Sequence, residues 1–169
     1  MKDIFWLTED FDAARGDEDA GSSDDNNIVS AQDNNIYFYS EVSRPKVLSL
    51  NKSLVRVSNS IRNRSSVLQC EDIPINLHIC SYGGSVFSGF AAVDYIAENK
   101  VPVHSYIDGC AASAATLMSV VAEKRFMHKR SFMLIHQLSS GMWGKYQEQK
   151  DSMENNDRLM QMIISIYEK

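Results

Sequence analysis

The stretch Asp108–Val121 reads DGCAASAATLMSVV, and its interpretation decides the fold. It follows Val103-His104-Ser105-Tyr106-Ile107, a strand-type run, and opens an alanine-rich apolar segment with Ser113 at the junction. A strand that turns sharply into a helix puts its junction residue at the helix N-terminus. There the first backbone N–H groups have no intrahelical partner and the dipole favours negative charge. A hydroxyl at that point can serve as a nucleophile, and the free N–H groups can hold the oxyanion it creates. The same serine can equally be a simple N-cap on a buried helix. Gly109, Ala111, Ala112, Ala114 and Ala115 leave room for another backbone to approach. Cys110 precedes the turn, on the strand side, and is the weaker nucleophile candidate.

Working outward, Ile75-Asn76-Leu77-His78-Ile79 alternates as a buried strand and runs into Ser81-Tyr82-Gly83-Gly84-Ser85, a turn that glycine makes tightly. Val86 to Ala97 reads as a helix. Upstream, Ile36 to Tyr39 is strand-like, and Pro45 sits where a first helical turn tolerates it. From Lys46 the residues Val47, Leu48, Leu50, Leu54, Val55 and Ile61 suit a helix face, with a polar loop expected over Asn59 to Ser66. Downstream, Lys124–Met127 and Phe132–Ile135 read as short strands around a turn, followed by His136 and the loop Gln137–Gly141. From Lys145, Met153, Leu159, Met160, Ile163, Ile164 and Ile166 recur at helical spacing, which predicts a long amphipathic helix. The order is α/β. Residues 1–34 differ: Glu9, Asp10, Asp12, Asp17, Glu18, Asp19, Asp24 and Asp25 recur among few apolar residues, which predicts a flexible or removable acidic arm. Residues 35–169 are the expected folded domain.

Composition narrows the function. The chain has 169 residues, 44% hydrophobic and 23% charged, with a formal net charge of −5. Such a balance is that of an ordinary globular protein, with no basic patch for nucleic acid. The weakly polar run Cys110–Ala122 is too short to span a bilayer, and no signal-peptide pattern opens the chain, so no membrane and a cytoplasmic location are expected. Cys70, Cys80 and Cys110 lack metal-ligand spacing, so reduced thiols and no metal are expected. The Gly83-Gly84 pair is not part of a complete phosphate or dinucleotide loop. Ser113 is not in a Gly-x-Ser-x-Gly elbow, which disfavours the α/β-hydrolase design.

Three junctions remain that follow strands: Gly83-Gly84, Gly109 to Ser113, and His136 to Gly141. In α/β folds such strand ends lie along one edge and can converge. Serine with histidine in reach is the minimum for acyl transfer with a general base.

Cys80-Ser81-Tyr82-Gly83-Gly84-Ser85-Val86, Gly109-Cys110-Ala111-Ala112-Ser113-Ala114 and Met133-Leu134-Ile135-His136-Gln137 resemble, in order and spacing, motifs of the ClpP family of self-compartmentalised serine proteases. The wording of SYGGSVFSG and of the histidine followed by QLSSG is similar to that of bacteriophage-encoded members. The resemblance implies a ClpP/crotonase-type spiral of βαβ units with a long C-terminal handle helix, at which this chain ends. It implies a catalytic Ser113 and His136, an oxyanion hole from Gly84 and Ala114, and substrate-backbone pairing along the segments of Val86 and Ser139. The third triad member, an aspartate, is expected beyond Lys169; Asp151 and Asp157 fall on the handle helix and are expected to be surface charges. Tyr82 and Cys80 stand where the family usually has proline and asparagine. The implied activity is that of a Clp-type serine endopeptidase cleaving unfolded polypeptides. No cofactor is implied. The implied partners are an AAA+ unfoldase ring and further subunits in a homo-heptamer or stacked double heptamer, alone or mixed with host subunits. A non-catalytic, modulatory subunit that joins host rings is the alternative, and a crotonase-type enzyme using paired N–H groups is a third reading.

Overall fold

A computed structural model of the chain describes residues 28–141 and 143–168. Among them, six strands form one sheet: β1 (Ile28–Gln32), β2 (Asn35–Tyr39), β3 (Ile75–Ser81), β4 (Val103–Ala112), β5 (Lys124–Met127) and β6 (Phe132–Leu134). The helices are α1 (Arg44–Leu68), α2 (Val86–Ala97), α3 (Ala114–Val120) and α4 (Tyr146–Tyr167). Strands β2, β3, β4 and β5 are parallel neighbours in chain order, and α1, α2 and α3 make the crossovers between them. Each step of the chain therefore advances by one strand in the same direction, which is the spiral of βαβ units that the motif order implies.

The strands explain which face is covered. Along β3 the inward residues Ile75, Leu77, Ile79 and Ser81 are buried and alternate with half-buried Asn76, His78 and Cys80. Val103, Ser105 and Ile107 do the same on β4. The inward set joins Val47, Leu50, Leu54, Val57 and Ile61 of α1, Ala92 and Ile96 of α2, and Ala114, Ala115 and Met118 of α3 in one core. The opposite face carries a row of rings across four strands: Tyr37, His78, Tyr106 and Phe126 stack in sequence with centroids 4.8, 5.0 and 4.7 Å apart.

Three boundaries differ from the sequence expectation. First, α1 runs through the polar stretch assigned to a loop at Asn59–Ser66, up to Leu68. No proline or glycine interrupts it there, and it ends when Gln69 takes a left-handed conformation (φ 53°), its N–H donating to the Ser65 carbonyl. Second, β4 continues from Ile107 through Asp108-Gly109-Cys110 to Ala112, because β6 takes over as its partner where β5 stops. Third, pairing starts at Ile28 rather than Asn35. β1 forms an antiparallel hairpin with β2 through Asp33 (φ 54°) and Asn34, and Val29 and Ala31 pack against the core. Residues 28–34 are thus structured, although the sequence assigned them to the acidic arm. The remainder of that arm, residues 1–27, lies outside the described residues.

Helix α2 crosses α3 closely at Gly89. A Cβ placed there would lie 3.4 Å from the Ala114 Cβ and 3.5 Å from its carbonyl oxygen. A methyl fits in ordinary contact and gains helix propensity, up to about 1 kcal/mol. A larger side chain forces the helices apart, at about 1–3 kcal/mol. Gly89→Ala should therefore leave the urea midpoint unchanged or raised, whereas Gly89→Leu should lower it clearly.

Candidate active site

The carboxyl edge of the sheet collects the junctions singled out by sequence. After β2 the chain passes Val42, which pairs in parallel with Gly84. The Val42 N–H donates to the Gly83 carbonyl at 2.7 Å, and the Ser85 N–H donates to the Val42 carbonyl at 2.8 Å. Gly83 has φ +99° and Gly84 φ +145°, conformations that L side chains rarely adopt. The space is as restrictive as the dihedrals. A Cβ on Gly83 would come within 2.7 Å of both the Ala112 carbonyl and the Ser113 Cβ, and within 3.3 Å of the Ala114 nitrogen. The glycine turn therefore rests directly against the serine junction.

Ser113 itself is not an ordinary N-cap. Its backbone is at φ 52°, ψ −128°, and its side chain makes no capping hydrogen bond to α3. A non-glycine residue held so far from the favoured regions costs about 1–3 kcal/mol, and the surrounding structure must impose it. Both of its backbone groups are fixed. The N–H donates to the Leu134 carbonyl of β6 at 2.8 Å. The carbonyl accepts from the Thr116 N–H at 2.9 Å and from the Thr116 hydroxyl at 2.6 Å. The Ala114 N–H opens α3, where no intrahelical acceptor exists.

His136 lies two residues beyond β6, whose Leu134 pairs with Ala112 and accepts from the Ser113 N–H. The two side chains share no hydrogen bond. His136 is exposed, and its Nδ1 is 2.6 Å from the Gln137 carbonyl. A carbonyl only accepts, so Nδ1 carries the proton and the neutral ring presents Nε2 as its basic nitrogen. Of the acids expected on the surface, Asp151 accepts from Gln147 one turn earlier on α4, and Asp157 is exposed. Val86 is the first residue of α2, behind the Ser85 cap whose Oγ accepts from the Ser88 N–H. Ser139 is exposed in the irregular segment after β6. That segment is tied to α4 by Asn156 donating to Ser140 Oγ at 2.7 Å and by the Leu138 N–H on Met160 sulfur at 3.3 Å.

A second polar cluster was not foreseen. On the face away from the helices, Asp108 Oδ2 accepts from the Tyr39 hydroxyl at 2.8 Å and lies 2.7 Å from His78 Nδ1. His128 Nε2 approaches Oδ1 at 3.1 Å without hydrogen-bond alignment. Strand alternation carries the signal, since His78, Asp108 and Tyr39 all point outward from the core. Pairing of β2, β3 and β4 was needed to see that they meet. Among the described residues no group of three or more His, Cys, Asp or Glu is arranged to hold a metal ion, and no helix is long and apolar enough to cross a membrane.

The fold and this edge define an α/β protein of spiral topology with a strained serine built against a glycine turn. Residues 31–169 match the model of the Clp protease family, and the chain belongs to that family. It is 42% identical over 73 residues to "ATP-dependent Clp protease proteolytic subunit 2" of Treponema pallidum (strain Nichols), a stretch covering 42% of this chain and 37% of that protein. The Treponema denticola protein of the same description matches at 42% identity over 73 residues, covering 42% of this chain and 36% of its own length. The matched stretch thus spans little more than a third of these relatives. Among solved structures, a point mutant of ClpP1 from Listeria monocytogenes superposes with a TM-score of 0.66 at 22% identity, covering 79% of this chain and 69% of that one. That likeness establishes the shared fold.

Burial, and then the hydrogen bond to Asp108, push the Tyr39 phenol well above the usual tyrosine range. Stability from this phenol is fully present below the unfolded pKa near 10 and is lost as pH rises above it. In an alkaline titration followed at about 295 nm, where ionised phenols absorb, Tyr39→Phe should remove a late-ionising tyrosine. Asp108→Asn should move that ionisation earlier without restoring it fully, because burial remains.

Proposed function

We propose that this chain is the catalytic portion of a Clp-type serine endopeptidase, with Ser113 as nucleophile and His136 as general base. The observation that carries this reading is the Ser113 backbone at φ 52°, ψ −128°, with a hydroxyl unused as a cap and a glycine turn packed against it. Strain of this kind is retained where geometry at one residue matters.

In the proposed reaction, Ser113 Oγ attacks the scissile carbonyl carbon while His136 Nε2 takes its proton. The resulting oxyanion is held by the N–H groups of Gly84 and Ala114. Collapse of the tetrahedral intermediate expels the amine, which takes the proton from His136, and water then hydrolyses the acyl-enzyme by the same route. Each oxyanion donor is worth on the order of 10²–10³ in turnover. An extended polypeptide is proposed to lie along the segments of Val86 and Ser139, a backbone-directed mode that tolerates many sequences. The third triad member is proposed to be an aspartate beyond Lys169, orienting a ring whose tautomer the Gln137 carbonyl already favours. The wider setting proposed from family membership is cytoplasmic: heptameric rings, single or stacked, fed with unfolded chains by an AAA+ unfoldase and encoded by a bacteriophage.

One observation favours a second reading, a modulatory subunit that joins active rings without cutting. Ser113 and His136 share no hydrogen bond, and the exposed His136 ring is engaged with its own neighbour. A fluorophosphonate probe separates the two, since it phosphonylates, with loss of fluoride, only a serine whose base is in register. Under the peptidase reading the parent chain labels at Ser113, Ser113→Ala does not label at all, and His136→Ala labels about 10²–10⁴-fold more slowly. Tested on a chain extended through the proposed aspartate, a parent that labels no faster than Ser113→Ala removes the peptidase reading and favours the modulatory one.

A further inference from the structure

The strained serine is tied to the far helix through a chain of hydroxyl groups. Thr116 is fully buried on α3, and its Oγ1 donates to the Ser113 carbonyl at 2.6 Å. A threonine bonding back one turn is common in helices by itself. Here the same Oγ1 also meets the Tyr167 hydroxyl, from the last turn of α4, in a second hydrogen bond. The direction of the chain follows from what each group can do. The Ser113 carbonyl only accepts, so the threonine proton goes to it. Thr116 Oγ1 then accepts, and Tyr167 is the donor. Burial holds the phenol in its protonated, donating form.

Tyr167 is held where this bond needs it. With Ile163 and Ile166 it packs on Phe90 and Val93 of α2, on Leu117 of α3 and on Val121 just after it, a cluster that touches the main core through Val121. A donor locked in place on one helix thus sets the orientation of a hydroxyl on another, and that hydroxyl grips the carbonyl of the residue at φ 52°. Hydrogen bonds in such a chain polarise and strengthen one another in a buried setting.

We propose that Thr116 and Tyr167 are positioning residues for Ser113, acting as a two-bond relay from the end of α4 to the serine backbone. The proposal rests on the reading of Ser113 as nucleophile. Neither residue touches substrate in this scheme. Their effect is on where Ser113 Oγ sits, so they should change the maximal rate of phosphonylation and leave probe affinity alone.

The test uses saturation kinetics of fluorophosphonate labelling on the parent chain and on Thr116→Val, Thr116→Ser, Tyr167→Phe and the Thr116→Val/Tyr167→Phe double variant. Valine matches threonine in shape, and serine restores the hydroxyl. With one buried hydrogen bond removed, the maximal labelling rate should fall about tenfold in Thr116→Val and about threefold in Tyr167→Phe, with half-saturation unchanged. Thr116→Ser should stay within about twofold of the parent, since the hydroxyl remains. Because Tyr167 acts through Thr116, the double variant should label no more slowly than Thr116→Val alone. Full-rate labelling by Thr116→Val, equal slowing by the serine variant, or a further loss from Tyr167→Phe in the valine background would each overturn the relay.

Amide exchange of α3 in the parent and in Tyr167→Phe gives a readout that does not depend on Ser113 chemistry or on the folding of the valine variant. Faster exchange at the first turn of α3 in Tyr167→Phe supports the relay, and equal exchange overturns it. A parent that labels no faster than Ser113→Ala removes the nucleophile reading itself, and the exchange result then decides the structural link alone.

Discussion

The backbone of Ser113 is the constraint on which the arrangement of the sheet edge depends. A serine at φ 52° is held only because its N–H has an acceptor on β6, its carbonyl has two donors on Thr116, and nothing larger than a hydrogen atom stands at Gly83. Each of these supports comes from a different part of the chain. The β6 acceptor exists because β4 extends to Ala112 and exchanges β5 for β6 along one edge. The glycine contact exists because Val42 pins the turn after β3 through two backbone hydrogen bonds. Strain of about 1–3 kcal/mol is thereby held by three supports together, none of which has to hold it alone.

Much of this was legible from residues. The alternation in Ile75–Ile79 and the run Val86–Ala97 identify β3 and α2 directly, because periods of two and of 3.6 residues are hard to confuse at that length. The glycine pair and Ser113 were legible as junctions, though their contact was not, since contact depends on Val42, a residue with no local signal. The end of α1 was hidden because Asn59, Arg62, Asn63, Arg64, Ser65 and Ser66 have the composition of a loop, while the buried positions up to Ile61 had already committed the helix. β1 was masked by the acidic residues before it, although Val29 and Ala31 alternate inward and Asp33-Asn34 is good hairpin-turn chemistry. The Asp108 cluster needed strand pairing, as its members are 30 and 69 residues from Asp108 in sequence.

In a serine-protease triad the acid sets both the tautomer and the orientation of the histidine. Here the Gln137 carbonyl supplies one of the two. It accepts from Nδ1 at 2.6 Å and leaves Nε2 with the lone pair. Tautomer and orientation are therefore separable demands at this site. A backbone carbonyl one residue away supplies the first, whereas aiming the ring at Ser113 requires contacts from elsewhere.

The row of Tyr37, His78, Tyr106 and Phe126 has a consequence for how the chain finds its alignment. Parallel strands rich in apolar residues tolerate sliding poorly only when something marks the correct offset, because a shift by two residues keeps the inward face apolar. The four rings provide that mark. They belong to four successive strands, and ring spacings of 4.7–5.0 Å are reached only when each strand sits at its observed offset. Slippage by two residues on β3 would bring Asn76 or Cys80 into the place of His78 and interrupt the stack between Tyr37 and Tyr106. The outward face thus acts as a vernier for the sheet up to Ile79 and Ile107, beyond which a register shift sets Ser81 opposite Ala111.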